Sequence, residues 1–153
     1  MSDPTAPNLS QLFTSLIGRS VTFARIPPGP ETKAKLVYGL YTHHPDGASI
    51  VVKSDLLLLF SCAGALVGLP DSEVQSRLSA PAIDELLRDA VYEVLNVASS
   101  ALAAEGRAVL TKMVTNRSEV GDAFETILAK PIRRIDFNVS VDDYEGGKFT
   151  VLS

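Results

Sequence analysis

The chain has 153 residues, which suits one domain with a substantial buried core. Its composition is that of a globular protein, because 46% of the residues are hydrophobic and 21% are charged. The formal net charge of −4 argues against nucleic-acid binding, which needs a basic surface. Cys62 is the only cysteine, so an internal disulfide is excluded, and its apolar neighbours predict a buried thiol.

The N-terminal sequence MSDPTAPN lacks the basic and apolar regions of a secretory signal. We expect these residues, 1–8, to be flexible, and residues 9–153 to form a single domain. The longest apolar run, 56–69, is shorter than the roughly 20 residues that a membrane-spanning helix needs. A cytoplasmic protein without membrane contact is therefore expected.

The first half of the chain predicts one short helix and three strands. Asn8 is typical of a helix N-cap, and the apolar spacing after it predicts a helix that ends at Gly18. Alternating apolar residues predict a strand over 20–26. Residues 35–42 and 48–53 flank the turn signal HHPDG and predict a β-hairpin.

A helical block follows the hairpin. Ser54 is expected to cap an apolar core helix that ends at Gly68. A short amphipathic piece, 71–78, comes next. Ser79 and the proline two residues after it then predict the start of the longest helix, over about 81–104.

The last third of the chain is predicted to be rich in strands, over 108–114, 123–129, 132–141 and 148–152. Glu145 and the two glycines after it are expected to form the last turn, and Asp142 and Asp143 to belong to the same polar segment. Strands grouped on both sides of a helical block favour an α+β layer structure over a doubly wound parallel sheet.

Four polar residues lie close together on the face of the longest helix that its apolar residues leave open. At about 100° per residue, Asp89, Glu93, Asn96 and Ser100 fall within about 60° of one another. We call these four residues the polar ridge. Like charges four residues apart, followed by poor helix formers, are atypical of a face selected for helix stability. An ordinary solvated face remains the alternative.

The spacing Asp89-x3-Glu93-x2-Asn96 matches the [Asp/Ser]-x3-Glu-x2-Asn signature of the CheC/CheX/FliY chemotaxis phosphatases, which act on phosphorylated CheY, and the chain resembles this family. The similarity extends in element order over 20–152. KLVYGLYT…GASIVVKSD leads into an apolar helix that ends in Gly-Leu-Pro, and ILAKPIRRIDFNVSVDD closes the chain. One copy of the motif points to the CheX-like branch.

The resemblance implies a CheC/CheX-like α+β layer structure with a mixed sheet packed against long helices. It implies hydrolysis of the aspartyl phosphate of a CheY-like response regulator. Asn96 would orient the attacking water, and Glu93 would pair with the regulator's active-site lysine. Asp89 and Ser100 would contribute to docking. The partner receiver domain would supply Mg²⁺, so no cofactor or metal of the chain's own is expected, and a homodimer is plausible.

Two positions depart from the family pattern. Ser100 stands where CheX-like helices usually carry glycine, and Glu119 stands near the place of a proline in the extended CheC pattern. The main alternative is therefore a non-catalytic binding or scaffold module, as in the flagellar switch. A further alternative is an unrelated α+β domain. His43 and His44 are expected to belong to a turn loop rather than to a metal site.

Overall fold

A computed structural model describes residues 3–30, 33–82, 84–103 and 105–153. Within these ranges the chain forms five α-helices, six strands and two short 3₁₀ turns. The helices are α1 (Ala6–Ile17), α2 (Leu56–Val67), α3 (Asp71–Leu78), α4 (Glu85–Ala98) and α5 (Asp122–Ala129), and the 3₁₀ turns span Ser99–Ala101 and Arg117–Glu119. The strands are β1 (Val21–Ile26), β2 (Leu36–His44), β3 (Ser49–Asp55), β4 (Arg107–Val114), β5 (Arg134–Val141) and β6 (Tyr144–Leu152).

The six strands form one sheet in the order β1-β5-β6-β3-β2-β4. Every pairing is antiparallel, although a mixed sheet was expected. Two of the pairs are hairpins, β2–β3 and β5–β6, whose short turns impose the antiparallel direction. The directions of the remaining pairs depend on contacts between strands far apart in the chain. A local sequence pattern does not reveal these contacts. The α+β class is confirmed.

Helices cover the sheet on both faces, but unequally. The main core lies between one face and α1, α2 and α4. A smaller cluster on the opposite face includes Tyr38, Leu40 and Val51 and packs against α5. The chain therefore has three layers, and the helix with the polar ridge belongs to the larger helical layer.

Helix α1 begins at Ala6 and not after Asn8, so the expected cap is wrong. Thr5 is the N-cap, and its hydroxyl oxygen accepts the backbone N–H of Asn8 at 3.3 Å. Pro7 suits the first turn because its missing N–H has no helical partner there. Three of the eight residues expected to be flexible are thus helical. The helix ends before Gly18, as expected, with Gly18 at φ 71°.

Helix α2 is the expected core helix, and it ends at Gly68 in the left-handed conformation. Ser54 does not cap it, because Ser54 belongs to β3. Its hydroxyl lies within hydrogen-bonding distance of the carbonyls of Asp55 and Lys148. Asp55 occupies the N-cap position, but its carboxylate accepts the N–H of Lys148 and so links the helix start to β6.

Helix α4 is shorter than the sequence predicts. It begins at Glu85, because Asp84 and not Ser79 is the N-cap; Asp84 Oδ1 accepts the N–H of Leu87 at 3.1 Å. It ends at Ala98 and continues as the 3₁₀ turn. Residues 83 and 104 of the predicted helix lie outside the described ranges.

The strand expected over 123–129 is wrong, because these residues belong to α5. Phe124, Ile127 and Leu128 pack against the smaller cluster. Their spacing of three and four residues is helical, so the signal was present in the sequence.

The last hairpin turns earlier than expected. Its turn is formed by Asp142 and Asp143, and Asp143 has φ 67°. Residues 145–147 lie inside β6 instead. Gly146 is required there because a Cβ atom at this position would stand 2.0 Å from the carbonyl oxygen of Val139.

Candidate functional site

Helix α4 presents three of the four residues of the polar ridge. Its apolar side is buried in the main core by Leu87, Ala90, Val91, Val94, Leu95 and Ala98. The side chains of Asp89, Glu93 and Asn96 are exposed on the opposite side. Because the helix is fixed along its whole buried face, the three motif residues sit on a rigid support.

The fourth ridge residue, Ser100, lies in the 3₁₀ turn and not in the α-helix. Because a 3₁₀ turn winds more tightly than an α-helix, Ser100 no longer stacks on the ridge at the predicted angle. It remains near Asn96, since both line a shallow depression of about 550 Å³. Ser99 and Arg107 line it as well. We call it the Asn96 depression.

The motif side chains are not engaged within the chain. Among the described residues, none forms a hydrogen bond or ion pair with the side chain of Asp89, Glu93 or Asn96. A carboxylate and a primary amide one turn apart are therefore free to bind an external group.

Tyr41, from the middle of β2, supports the ridge from inside the core. At the end of α4 the N–H of Ser99 points to the carbonyls of Asn96 and Val97, whereas an α-helical bond would lead to Leu95. The hydroxyl of Tyr41 donates to the Leu95 carbonyl at 2.5 Å. Burial, with a smaller contribution from nearby Tyr92, raises the pKa of Tyr41 far above its usual range. Tyr41 therefore stays a hydrogen-bond donor.

His43 holds the loop that follows the 3₁₀ turn. Its ring is buried, with Nδ1 at 2.7 Å from Asp46 Oδ1 and Nε2 at 2.6 Å from the carbonyl oxygen of Glu105. The Glu105 carbonyl, the bond to the Asp46 side chain and the charge of Asp46 raise the pKa of His43, and burial opposes them. Gly106 lies close to the His43 ring, and a Cβ atom at Gly106 would stand 2.8 Å from His43 Nε2.

The prediction that His43 and His44 belong to a turn loop is wrong: they are the last two residues of β2, because they pair with Ala108 and Arg107 of β4, and the turn begins at Pro45. His43 also reaches the segment beside the Asn96 depression, which the sequence does not reveal. Only the pairing of β2 with β4, in which His44 lies opposite Arg107, brings the two segments together. Arg107 was missed for the same reason.

The remaining candidate residues have structural surroundings. Cys62 is fully buried, and burial raises the pKa of its thiol to about 12. Glu119, which stands near the place of a proline in the extended CheC pattern, lines a separate cavity of about 120 Å³ together with Arg88. Asp143 forms an ion pair with Arg19. Across the described ranges, no cluster of three or more histidine, cysteine or acidic residues could hold a metal ion.

None of the helices in the described part of the chain is both long and apolar enough to cross a membrane.

No protein-family model matches the sequence, and no curated protein matches it. Solved structures do match. FliY of Thermotoga maritima has a TM-score of 0.58 at 14% identity, over 95% of this chain and 82% of that one. The FliM middle domain from H. pylori has a TM-score of 0.56 at 15% identity, over 96% and 83%.

The crystal structure of the CheX-CheY-BeF3-Mg complex from Borrelia burgdorferi also matches. Its TM-score is 0.52 at 15% identity, over 94% of this chain and 91% of that one. These identities are low, so the likeness concerns the fold. Over nearly its whole length, this chain has the CheC/CheX/FliY-type fold that the CheX, FliY and FliM middle-domain structures share.

Proposed function

We propose that the protein is a phosphatase that hydrolyses the aspartyl phosphate of a CheY-like receiver domain. The observation that supports this most is the pair Glu93 and Asn96. Both are exposed and unengaged on one face of a helix whose other face is fixed in the core. The fold is also that of a CheX solved in complex with CheY.

Asn96 is proposed as the catalytic residue. Its amide can donate one hydrogen bond and accept another, so it can orient a water in line with the phosphorus–oxygen bond. It is also neutral, whereas a carboxylate in its place would repel the phosphoryl group. The Mg²⁺ ion that neutralises this group belongs to the receiver domain, which supplies the charge stabilisation.

Glu93 is proposed to set the register of the docked helix. It lies three residues before Asn96, so an ion pair with the active-site lysine of the receiver would place Asn96 beside the phosphoryl group. Such a half-exposed pair contributes more to orientation than to affinity. Asp89, one turn earlier, and Ser100, beyond the helix end, are proposed as peripheral docking residues.

The test is the decay rate of phosphorylated receiver domains from the same organism, with and without the protein. We expect wild type to accelerate decay and Asn96→Ala to abolish the acceleration while binding persists. Asn138→Ala, at an exposed asparagine on β5, is the matched control and should behave as wild type. Glu93→Gln should mainly raise the receiver concentration needed for half-maximal rate. Unchanged decay with every receiver that binds would exclude the phosphatase.

The second candidate is a non-catalytic binding module. The FliM middle domain matches about as well as FliY does, and one matching FliM was solved in complex with FliG. In this role the polar ridge would dock without promoting hydrolysis. A receiver that binds wild type and Asn96→Ala equally, and whose phosphate decays at its own rate, would favour this candidate.

A homodimer is also proposed, through an open sheet edge. The alternating strand β5 lies inside the sheet, so β1 and β4 are the two edges available for pairing. Sedimentation equilibrium over a range of concentrations should give twice the monomer mass at the upper end; a constant monomer mass would contradict the dimer.

A further inference from the structure

The Asn96 depression has two walls of different origin. Asn96, Ser99 and Ser100 come from the end of α4 and the 3₁₀ turn. The opposite wall is formed by the following loop and the start of β4, with Ala103, Gly106, Arg107, Ala108 and Val109. Arg107 is the charged residue among the described residues that line this depression.

The donors available inside the depression are few. The hydroxyl of Ser99 donates to the Asn96 carbonyl at 2.6 Å, and that of Ser100 donates to the Val97 carbonyl at 3.1 Å. These bonds satisfy carbonyls at the helix end, so neither hydroxyl proton is free for a ligand. The guanidinium of Arg107 and the amide of Asn96 remain as side-chain donors, and an occupant that accepts hydrogen bonds is favoured.

Arg107, like Arg25 and Arg88, forms no ion pair within the part of the chain that the structure describes. Five other arginines form ion pairs with the chain's own carboxylates: Arg19 with Asp143, Arg77 with Glu73 and Asp84, Arg117 with Glu125, Arg133 with Asp3, and Arg134 with Asp136. The guanidinium of Arg107 has no such partner among the described residues. Its charge is therefore available to an anionic group of another molecule.

Two anions of the partner could provide this group: the phosphoryl group and a carboxylate side chain. A depression receives a group that protrudes from the partner. In the proposed reaction the phosphoryl group lies against the amide of Asn96 and is neutralised by the receiver's own Mg²⁺ ion, so the guanidinium on the opposite wall is left for a different anion. The anion that enters beside Arg107 is then a carboxylate side chain on the partner's surface.

We infer that Arg107 binds an aspartate or glutamate side chain of the receiver domain and so forms a second docking site beside the polar ridge. This inference rests on the proposed function for its partner. The ridge carries negative charge at Asp89 and Glu93, whereas Arg107 is positive, so the two sites together fix the orientation of a partner with the opposite pattern. The bond of His43 to the Glu105 carbonyl holds the wall from which Arg107 projects.

The test compares Arg107→Glu with Arg25→Glu, which makes the same charge change on the opposite edge strand, β1. Association rates are measured by stopped-flow with phosphorylated and unphosphorylated receiver domains, at low and high salt. We expect Arg107→Glu to lower the association rate about tenfold at low salt, less at high salt, and equally for both receiver forms. Arg25→Glu should have no comparable effect. Thermal melts establish that both variants are folded.

Equal rates for the Arg107 and Arg25 variants would overturn the inference. An effect confined to the phosphorylated receiver would also overturn it, since it would assign Arg107 to the phosphoryl group. Replacing acidic residues of the receiver by lysine, one at a time, should restore association with Arg107→Glu at one position. The decay assay is independent of this result: a receiver that docks through Arg107 but is not dephosphorylated leaves the docking site intact and excludes only the phosphatase. Absence of binding to any receiver would overturn both.

Discussion

Two buried polar side chains of β2, Tyr41 and His43, hold the segment that contains Asn96 and Ser100. Both bond to backbone carbonyls, of Leu95 and Glu105, on either side of the 3₁₀ turn. A backbone carbonyl inside a protein is costly to leave without a partner. The position of Asn96 therefore depends on residues that belong to the sheet.

Tyr41→Phe should lower the free energy of unfolding by about 1–3 kcal/mol, because it removes the donor to the buried Leu95 carbonyl and leaves the packing intact. The measurement is urea denaturation. Tyr92→Phe, at a tyrosine of α4 that is 43% exposed, is the matched control and should change little. Equal stabilities for the two variants would indicate that Leu95 finds another donor.

His43 should make stability depend on pH in a defined direction. Its pKa is raised in the folded protein by the bonds to Glu105 and Asp46, so its contribution is fully present below the ordinary pKa of 6.5 and is lost as pH rises through the folded pKa. The stability difference between wild type and His43→Gln should be larger near about pH 6 than near about pH 9. The free energy of unfolding at each pH provides the measurement.

Asp46 affects the pH dependence of the free energy of unfolding in a different range, at acid pH. Its pKa is lowered by the Ala48 N–H and by His43, so its contribution is present above the ordinary pKa of 3.8 and is lost as pH falls through the lower folded value. A difference between wild type and His43→Gln that grows toward high pH would contradict the raised pKa of His43.

At the scale of elements, α4 begins at Asp84, where one carboxylate has two partners. Oδ1 caps the helix at Leu87, and Oδ2 pairs with Arg77 of α3 at 2.9 Å. The start of α4 and the preceding helix, α3, are thus joined by a single side chain.

Asp84→Ala should lower the free energy of unfolding by about 1 kcal/mol, because it removes the N-cap. Asp84→Asn should have a smaller effect, because asparagine can still cap the helix although it loses the charge that pairs with Arg77. Asp89→Ala, on the exposed face of the same helix, is the control. The measurement is chemical denaturation. A loss in Asp84→Asn as large as that in Asp84→Ala would assign the stabilisation to the ion pair.

Helix α5 should open more easily than the rest of the fold. It has eight residues and no fully buried side chain, and it packs on the smaller cluster. Amide hydrogen exchange should therefore reveal faster exchange in α5 than in α2. Equal protection in the two helices would mean that α5 unfolds only with the whole domain.

The sequence predicts those features of the site that depend on local spacing. The exposure of the Glu93 and Asn96 side chains follows from the helical period and from the apolar residues between them. The apolar character of α2 likewise predicts its place in the core. The strand predicted in place of α5 reflects its short length, since eight residues suit either element and the helical spacing of Phe124, Ile127 and Leu128 was missed.

The remaining parts of the site depend on strand register. Tyr41 meets the end of α4, and His43 meets the loop after the 3₁₀ turn, because β2 lies in the middle of one half of the sheet. Arg107 faces Asn96 because β4 pairs with β2. These contacts join residues far apart in the chain, and no local pattern encodes them.

At the scale of the whole molecule, Cys62 provides a probe of global unfolding. It is fully buried in α2, and its pKa of about 12 keeps the thiol protonated at neutral pH. Labelling by a disulfide reagent should therefore be slow in the native protein and should accelerate with urea in parallel with unfolding. Asp84→Ala should label faster than wild type by the factor that its lost stability predicts. Rapid labelling without denaturant would instead indicate local opening of α2.

The strand order also affects how the chain folds while it is being made. Strands β1 and β5 belong to one half of the sheet and β2, β3 and β4 to the other, and β6 joins the halves through its pairs with β5 and β3. Strand β6 is the last of the six strands to be synthesised. The two halves of the sheet therefore cannot join until residues 144–152 have been made. Strand β1 has no partner strand until β5 (residues 134–141) has been made, and until then the nascent chain exposes strand edges that the finished sheet covers.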